Sequence, residues 1–185
     1  MADLISVLQD IILENQALLG AREYWPRAME VERIPGKATV ITGIRRCGKS
    51  VYGKLYIDRL LKSGVPRENI CEIDFSDDRL LDLRTGSPDV VTQAYYGLYP
   101  DKTEEKVWFF FDEIQYLNNW ALFANRLQNT RTCELNITGS SAKLLVWEIA
   151  TEFGGRSLSW ELFPFSFREF LETKEEGRKI LGAKK

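Results

Sequence analysis

Apolar positions along the chain change period several times, and each change marks an element. Between Asp3 and Leu19 they fall at 4, 5, 8, 11, 12, 18 and 19, the spacing of one helix face, and Gly20 ends the run. Residues 21–36 carry no period and include Pro26, Pro35 and Gly36, which predicts a connection ending in a turn. Ala38–Thr42 is a short β-rich run closed by Gly43, and a helical stretch over 49–63 follows, ended by Ser63-Gly64 and Pro66. Residues 71–75 alternate as a second strand. Ser87-Pro88-Asp89 predicts a helix start, running to Tyr96 and stopping at Gly97. Val107–Phe111 is apolar throughout, as expected of a strand buried on both faces. Helices are predicted over 119–129 and 141–152, and strands over 134–138 and 156–162. Ser166 caps a last helix with Phe167, Phe170 and Leu171, and a charged tail expected to fray closes the chain.

Strands that alternate with helices imply parallel pairing, hence an α/β three-layer sandwich with helices on both faces of the sheet. Ligands of such sheets bind beyond the carboxyl ends of the strands. We divide the chain into an N-terminal helix and connection (1–36), a core (37–172) and the tail (173–185). At 185 residues there is room for one domain with a substantial core.

Composition narrows the chemistry. There is no histidine, so acid–base work falls to carboxylates, Lys, Tyr, Cys or water. Cys47, Cys71 and Cys133 are few and scattered, which suggests a reducing compartment and no disulfide framework. The longest apolar run is far short of the roughly 20 residues of a membrane span, and the N-terminus lacks the pattern of a signal peptide. The expected location is cytoplasmic. Net charge is -2, so the whole chain is not a polybasic nucleic-acid binder.

Residues 43–50, GIRRCGKS, fit G-x-x-x-x-G-K-[ST], the Walker A pattern. Gly43 and Gly48 permit backbone angles and a close approach that a side chain would block. Amides from Gly43 through Ile44, Arg45, Arg46, Cys47, Gly48, Lys49, Ser50 and Val51 then line a concavity for phosphate oxygens, reinforced by the following helix N-terminus. Lys49 supplies a point charge to the β and γ phosphates, and Ser50 a hydroxyl to Mg²⁺. Arg45 and Arg46 could meet phosphate, pair with acids, contact a partner, or be solvated. Cys47 lies by a helix N-terminus, where a thiol pKa can fall; the alternative is an inert loop residue.

The apolar strand 107–111 ends in Asp112 and Glu113, a Walker B pattern. Asp112 would hold Mg²⁺ opposite Ser50, and Glu113 would orient and polarise the attacking water; two acids capping a strand exit is the plainer alternative. A strand intervenes between the Gly43 loop and Asp112, and an acid follows Asp112 directly. Both features suit P-loop proteins that hydrolyse with a strand-end glutamate, and no N-K-x-D guanine signature occurs. Ser140 ends the next strand and would sense the γ-phosphate, or cap a helix. Arg156 opens the fifth strand and would act as an arginine finger, in cis or toward a neighbouring subunit, or sit on the surface as an ordinary arginine.

ITGIRRCGKS, FFFDEIQ, NITGSSAKLL and GGRSLSWELFPFSFREF together resemble a family of prokaryotic AAA-like P-loop ATPases, over roughly residues 20–171. The resemblance implies a five-stranded parallel AAA-type sheet in the order 5-1-4-3-2, with ATP and Mg²⁺ as ligands. It maps motif positions onto Gly43–Ser50, Asp112, Glu113, Gln115, Ser140 and Arg156. Family members usually continue some two hundred residues further, into a C-terminal domain; this chain stops soon after Leu171 and leaves no room for a helical lid.

The expectation is thus an ATP-binding module of AAA type that hydrolyses Mg·ATP weakly when isolated. The alternative is a nucleotide-dependent module that binds protein or DNA with negligible turnover; a small-molecule kinase is disfavoured by the Asp112-Glu113 pair. Arg126, Arg131, Lys143, Arg178, Lys179, Lys184 and Lys185 are scattered, so nucleic acid is weakly supported as a partner. Trp160, Phe163, Phe165, Phe167 and Phe170 crowd the end of the chain; core packing explains most such residues, and any left bare predict self-association or a surface that a covering domain would bury.

Overall fold

The computed structural model describes residues 2–140, 151 and 153–182. The predicted helix over 141–152, and with it Lys143, falls outside them except for Thr151, as do Lys184 and Lys185. Five parallel strands form one sheet: β1 (Ala38–Thr42), β2 (Ile70–Asp74), β3 (Val107–Asp112), β4 (Cys133–Gly139) and β5 (Ser157–Glu161). Their spatial order is β2-β3-β4-β1-β5, the order the resemblance implies. The helices at Lys49–Lys62, Asp89–Leu98 and Trp120–Thr130 each return the chain to the same edge, and every strand pairing is parallel.

The sheet divides its side chains by strand period. Phe109 and Phe111 of β3, Val40 of β1, Ile73 of β2 and Ile137 of β4 face one side. There they pack against α1 (Ala2–Leu18), α3 (Asp89–Leu98) and α4 (Trp120–Thr130). Phe110 and Ile70 face the other side and meet Ile57 and Leu60 of α2 (Lys49–Lys62). The apolar run of β3 is therefore explained: both faces of that strand are covered. Leu8, Ile11 and Ile12 of α1 belong to the main core, and Asn15 and Gln16 of that helix donate to the β2 carbonyls of Glu72 and Ile70 at 2.9 Å.

The predicted stop at Gly97 is corrected. α3 runs through it to Leu98, and Gly97 instead admits α1, since a Cβ there would lie 3.1 Å from Gln9 Nε2. Four 3-10 segments, Arg67–Asn69, Asp78–Arg84, Pro100–Thr103 and Ile114–Tyr116, have no counterpart in the sequence reading. Ser166 does cap the last helix, α5 (Phe167–Gly182), which continues into the charged segment beyond 173. The Glu169 amide donates to Ser166 Oγ at 3.2 Å and the Ser166 amide to Glu169 Oε2 at 2.7 Å, a reciprocal capping box.

Candidate functional site

The loop after β1 and the turn after β3 meet at the carboxyl edge of the sheet. Gly43 leaves β1 where the chain from β5 passes against it. A Cβ at Gly43 would sit 2.3 Å from the Leu162 carbonyl oxygen and 2.9 Å from Cys47 Sγ, so no other residue fits. Gly48 has φ +98 and opens α2, whose first bond runs from the Tyr52 amide to the Gly48 carbonyl at 2.8 Å. No side chain caps this helix. The amides of Lys49, Ser50 and Val51 therefore lack intrahelical acceptors and point out of the helix start.

Lys49 is buried, with its ammonium folded over the loop: Nζ donates to the carbonyls of Gly43 and Ile44, each at 3.1 Å, and lies 3.7 Å from Glu113 Oε1. Ile44, Arg45 and Arg46 form the exposed lip. Arg45 Nη2 donates to the Tyr116 hydroxyl at 3.3 Å, and Arg84 stacks on the same ring at 4.6 Å. Arg46 adopts φ +65. Cys47 is buried under the loop with Ile41, Tyr52 and Leu162, so its thiol is shielded and packs as a small apolar group.

Asp112 ends β3 and accepts hydrogen bonds from the hydroxyls of Ser50 and Thr138. Burial pushes its carboxyl pKa up, and the neighbouring Asp74 and Glu113 charges push the same way, against those hydrogen bonds. A cation beside Ser50 would relieve that penalty, so an oxygen pair suited to Mg²⁺ fits the site.

Glu113 follows in the left-handed region, φ +49 and ψ +46, a conformation that costs a non-glycine residue on the order of 1–3 kcal/mol. Its amide donates to Asp112 Oδ1 at 3.0 Å and to Thr138 Oγ1 at 3.3 Å, which holds the turn. The carboxylate accepts from Gln115 Nε2, and Gln115 Nε2 also reaches Ser140 Oγ at 3.1 Å. Burial raises the Glu113 pKa, but hydrogen bonds from Gln115 and Ser140 and the Lys49 charge outweigh it, so the carboxyl lies below its ordinary range. Glu113 is thus held as a carboxylate beside the loop lysine.

Lys49, Ser50, Asp112, Glu113, Gln115 and Ser140 are therefore gathered at one site. Arg156 is not, and a cis arginine finger is ruled out by strand direction. Its carbonyl accepts from the amide of Ala38, the first residue of β1, whereas the phosphate loop follows the last. The two ends are separated by a strand length, about 16 Å at roughly 3.3 Å per residue. Its guanidinium donates to Asn129 Oδ1 and to the Phe153 carbonyl. Sequence reasoning missed Thr138, the partner of both Asp112 and the Glu113 amide. It also missed Arg27 and Glu169, which brace the loop from behind. Only Glu169 carried a local signal, the Ser166-x-x-Glu169 spacing.

The model of the AAA domain matches residues 35–171, well over half the chain. An uncharacterized protein of Methanocaldococcus jannaschii is 34% identical over 94% of this chain and 37% of its own length. One of Haemophilus influenzae is 36% identical over 73% of this chain and 33% of its own. The chain thus spans about a third of the length of these relatives. Among solved structures, a chain from "Structure of Drosophila ORC bound to GC-rich DNA and Cdc6" corresponds loosely, with TM-score 0.42 and 9% identity over 89% of this chain and 59% of that one. No described helix is long and apolar enough to cross a membrane. With its parallel sheet in the 5-1-4-3-2 order, its phosphate loop and the family match across both, this chain belongs to the AAA domain family of P-loop nucleotide-binding modules.

Proposed function

We propose that the chain binds Mg·ATP at the Gly43–Ser50 loop and hydrolyses its terminal phosphate, slowly when alone. The observation that carries this reading is the Glu113 carboxylate, kept ionised by Gln115 and Ser140 and 3.7 Å from Lys49 Nζ. The amides at the start of α2 would take the β-phosphate oxygens, where the helix N-terminus favours anions. Lys49 would exchange its bonds to the Gly43 and Ile44 carbonyls for the β and γ phosphates. Ser50 and Asp112 would hold Mg²⁺, which when bound neutralises charge on the phosphates. Glu113 would accept a hydrogen bond from the attacking water and draw its proton, the role for which no histidine is available. Ser140 would keep Glu113 aimed and sense the γ-phosphate. Arg156 would assist only across a subunit boundary.

The test is Glu113→Gln in a phosphate-release assay beside calorimetric titration of Mg·ATP. We expect binding within about twofold of wild type and turnover down by on the order of a hundredfold or more. Equal turnover would remove Glu113 from the mechanism. Phosphate found on an acceptor other than water would make the reaction a kinase reaction.

A second reading is a nucleotide-dependent binding module with negligible turnover. It is favoured by Phe163, Phe165, Phe167 and Phe170, all exposed near the start of α5. Steady-state turnover by the isolated chain would count against it.

A further inference from the structure

The connection between α1 and β1 contains an arginine that the phosphate-binding reading leaves unused. The Arg27 side chain is 5% exposed, and its three nitrogens each find an acceptor. Nε donates to Glu169 Oε1 at 3.0 Å, Nη1 to the Cys47 carbonyl at 2.9 Å and Nη2 to the Phe163 carbonyl at 2.7 Å. Glu169 is anchored in turn, since Oε1 also accepts from the Ala28 amide at 2.9 Å and Oε2 from the Ser166 amide. The guanidinium lies over the Phe165 ring at 4.6 Å. One planar fork therefore joins the N-terminal connection, the phosphate loop and the start of α5.

The middle bond matters for the loop. Across a trans peptide the carbonyl and the next N–H point in opposite directions, and no cis peptide occurs among the described residues. A Cys47 carbonyl fixed outward thus requires a Gly48 N–H directed inward. Left free, that peptide plane can rotate, because Gly48 tolerates either sign of φ. The absent side chain of Gly48 also makes room for the clamp: a Cβ there would lie 3.2 Å from Arg27 Nη1.

We propose that Arg27, held by Glu169, is a positioning residue that fixes the Cys47–Gly48 peptide so that the Gly48 N–H faces the phosphate. The proposal rests on the reading of residues 43–50 as a phosphate site. It gives the ELFPFSFREF segment a role in the loop some 120 residues earlier: Phe163, Ser166 and Glu169 are the parts that hold Arg27 in place. Lysine cannot replace the fork, because a single ammonium does not span three acceptors in one plane.

The test is calorimetric titration of Mg·ADP into wild type, Lys49→Ala, Arg27→Lys, Arg27→Gln and Glu169→Gln. It is run well below the melting temperature of each variant, with the Gly48 amide followed in ¹H–¹⁵N spectra. The expected result is a fully folded Arg27→Lys whose affinity falls about tenfold or more and whose Gly48 amide resonance is displaced. Glu169→Gln, which keeps Arg27 but loosens it, should fall between that variant and wild type. Should the Arg27 variants fail to fold, Glu169→Gln decides alone by the same two readouts. Wild-type affinity and an unmoved Gly48 amide in folded variants, with binding still lost in Lys49→Ala, would overturn the positioning role. No binding by wild type would instead overturn the phosphate-site reading, and this proposal with it.

Discussion

Replacing Glu169 by glutamine should cost stability at neutral pH and much less in acid. Burial alone would raise the Glu169 pKa. The amides of Ala28 and Ser166 and the Arg27 guanidinium overcome that and hold it down at about 2. A group whose folded pKa is depressed stabilises the fold above its unfolded pKa, and that stability is lost as pH falls through the folded value. From the ordinary 4.5 to about 2, at about 1.4 kcal/mol per pH unit, the carboxylate contributes on the order of 3 kcal/mol at pH 7. At pH 3 less than half of it should remain by the same linkage. The glutamine retains one acceptor but turns a donor toward the Ser166 amide, and it leaves the buried Arg27 without its counter-charge. Urea unfolding of wild type and Glu169→Gln at pH 7, 5, 4 and 3 measures the difference. The gap should narrow by about 2 kcal/mol between pH 7 and pH 3, most of it below pH 5. A gap that stays constant over this range would show that the ion pair is not what stabilises the start of α5, and would refute the reasoning.

Gly43→Ala should destabilise the chain by about 1–3 kcal/mol and weaken Mg·ATP binding, because the added methyl meets the Leu162 carbonyl at 2.3 Å; thermal unfolding and titration report both. Arg156→Ala should leave Mg·ATP affinity unchanged at low protein concentration, since its guanidinium lies a strand length from the loop. If turnover per chain rises with concentration in wild type and not in this variant, the arginine serves a neighbouring subunit. The isolated chain should bind a hydrophobic dye or self-associate through Phe163, Phe165, Phe167 and Phe170, between 47% and 76% exposed; sedimentation as a clean monomer without dye binding would contradict this.

Elements whose side chains repeat along the chain were readable from it. The run Val107–Phe111 could only be a strand covered twice, and the structure covers it with α1, α3 and α4 on one face and α2 on the other. The Gly43–Ser50 loop was readable for a related reason: the residues that let its backbone curl stand together in one short motif. The 3-10 segments were not, because one turn of i,i+3 spacing leaves no period to detect. Thr138 was passed over for Ser140 because both are hydroxyls at one strand end, two positions apart and so on the same side of the pleat; only the pairing register, with Phe111 beside Ile137, brings Thr138 to Asp112. Of the roles left open for Arg156, the one in cis could have been closed from the sequence. An arginine that opens a strand parallel to β1 must lie at the end opposite a loop that closes β1.

Arg27 and Glu169 show where such reading stops. They stand 142 positions apart, and each looks ordinary in its own neighbourhood: an arginine after a proline, and a glutamate in a capping box. What makes them matter is a third party, the Cys47 carbonyl, and a backbone acceptor has no sequence signature at all. The phosphate loop motif specifies which residues let the backbone curl, namely glycines that allow many conformations. It does not specify what selects one of them. In this chain the selecting contacts come from outside the motif. A transfer of residues 43–50 alone onto another strand–helix junction should therefore yield a loop with the right composition and weak phosphate affinity. Restoring the Arg27–Glu169 pair behind it should recover affinity without adding any group that touches phosphate.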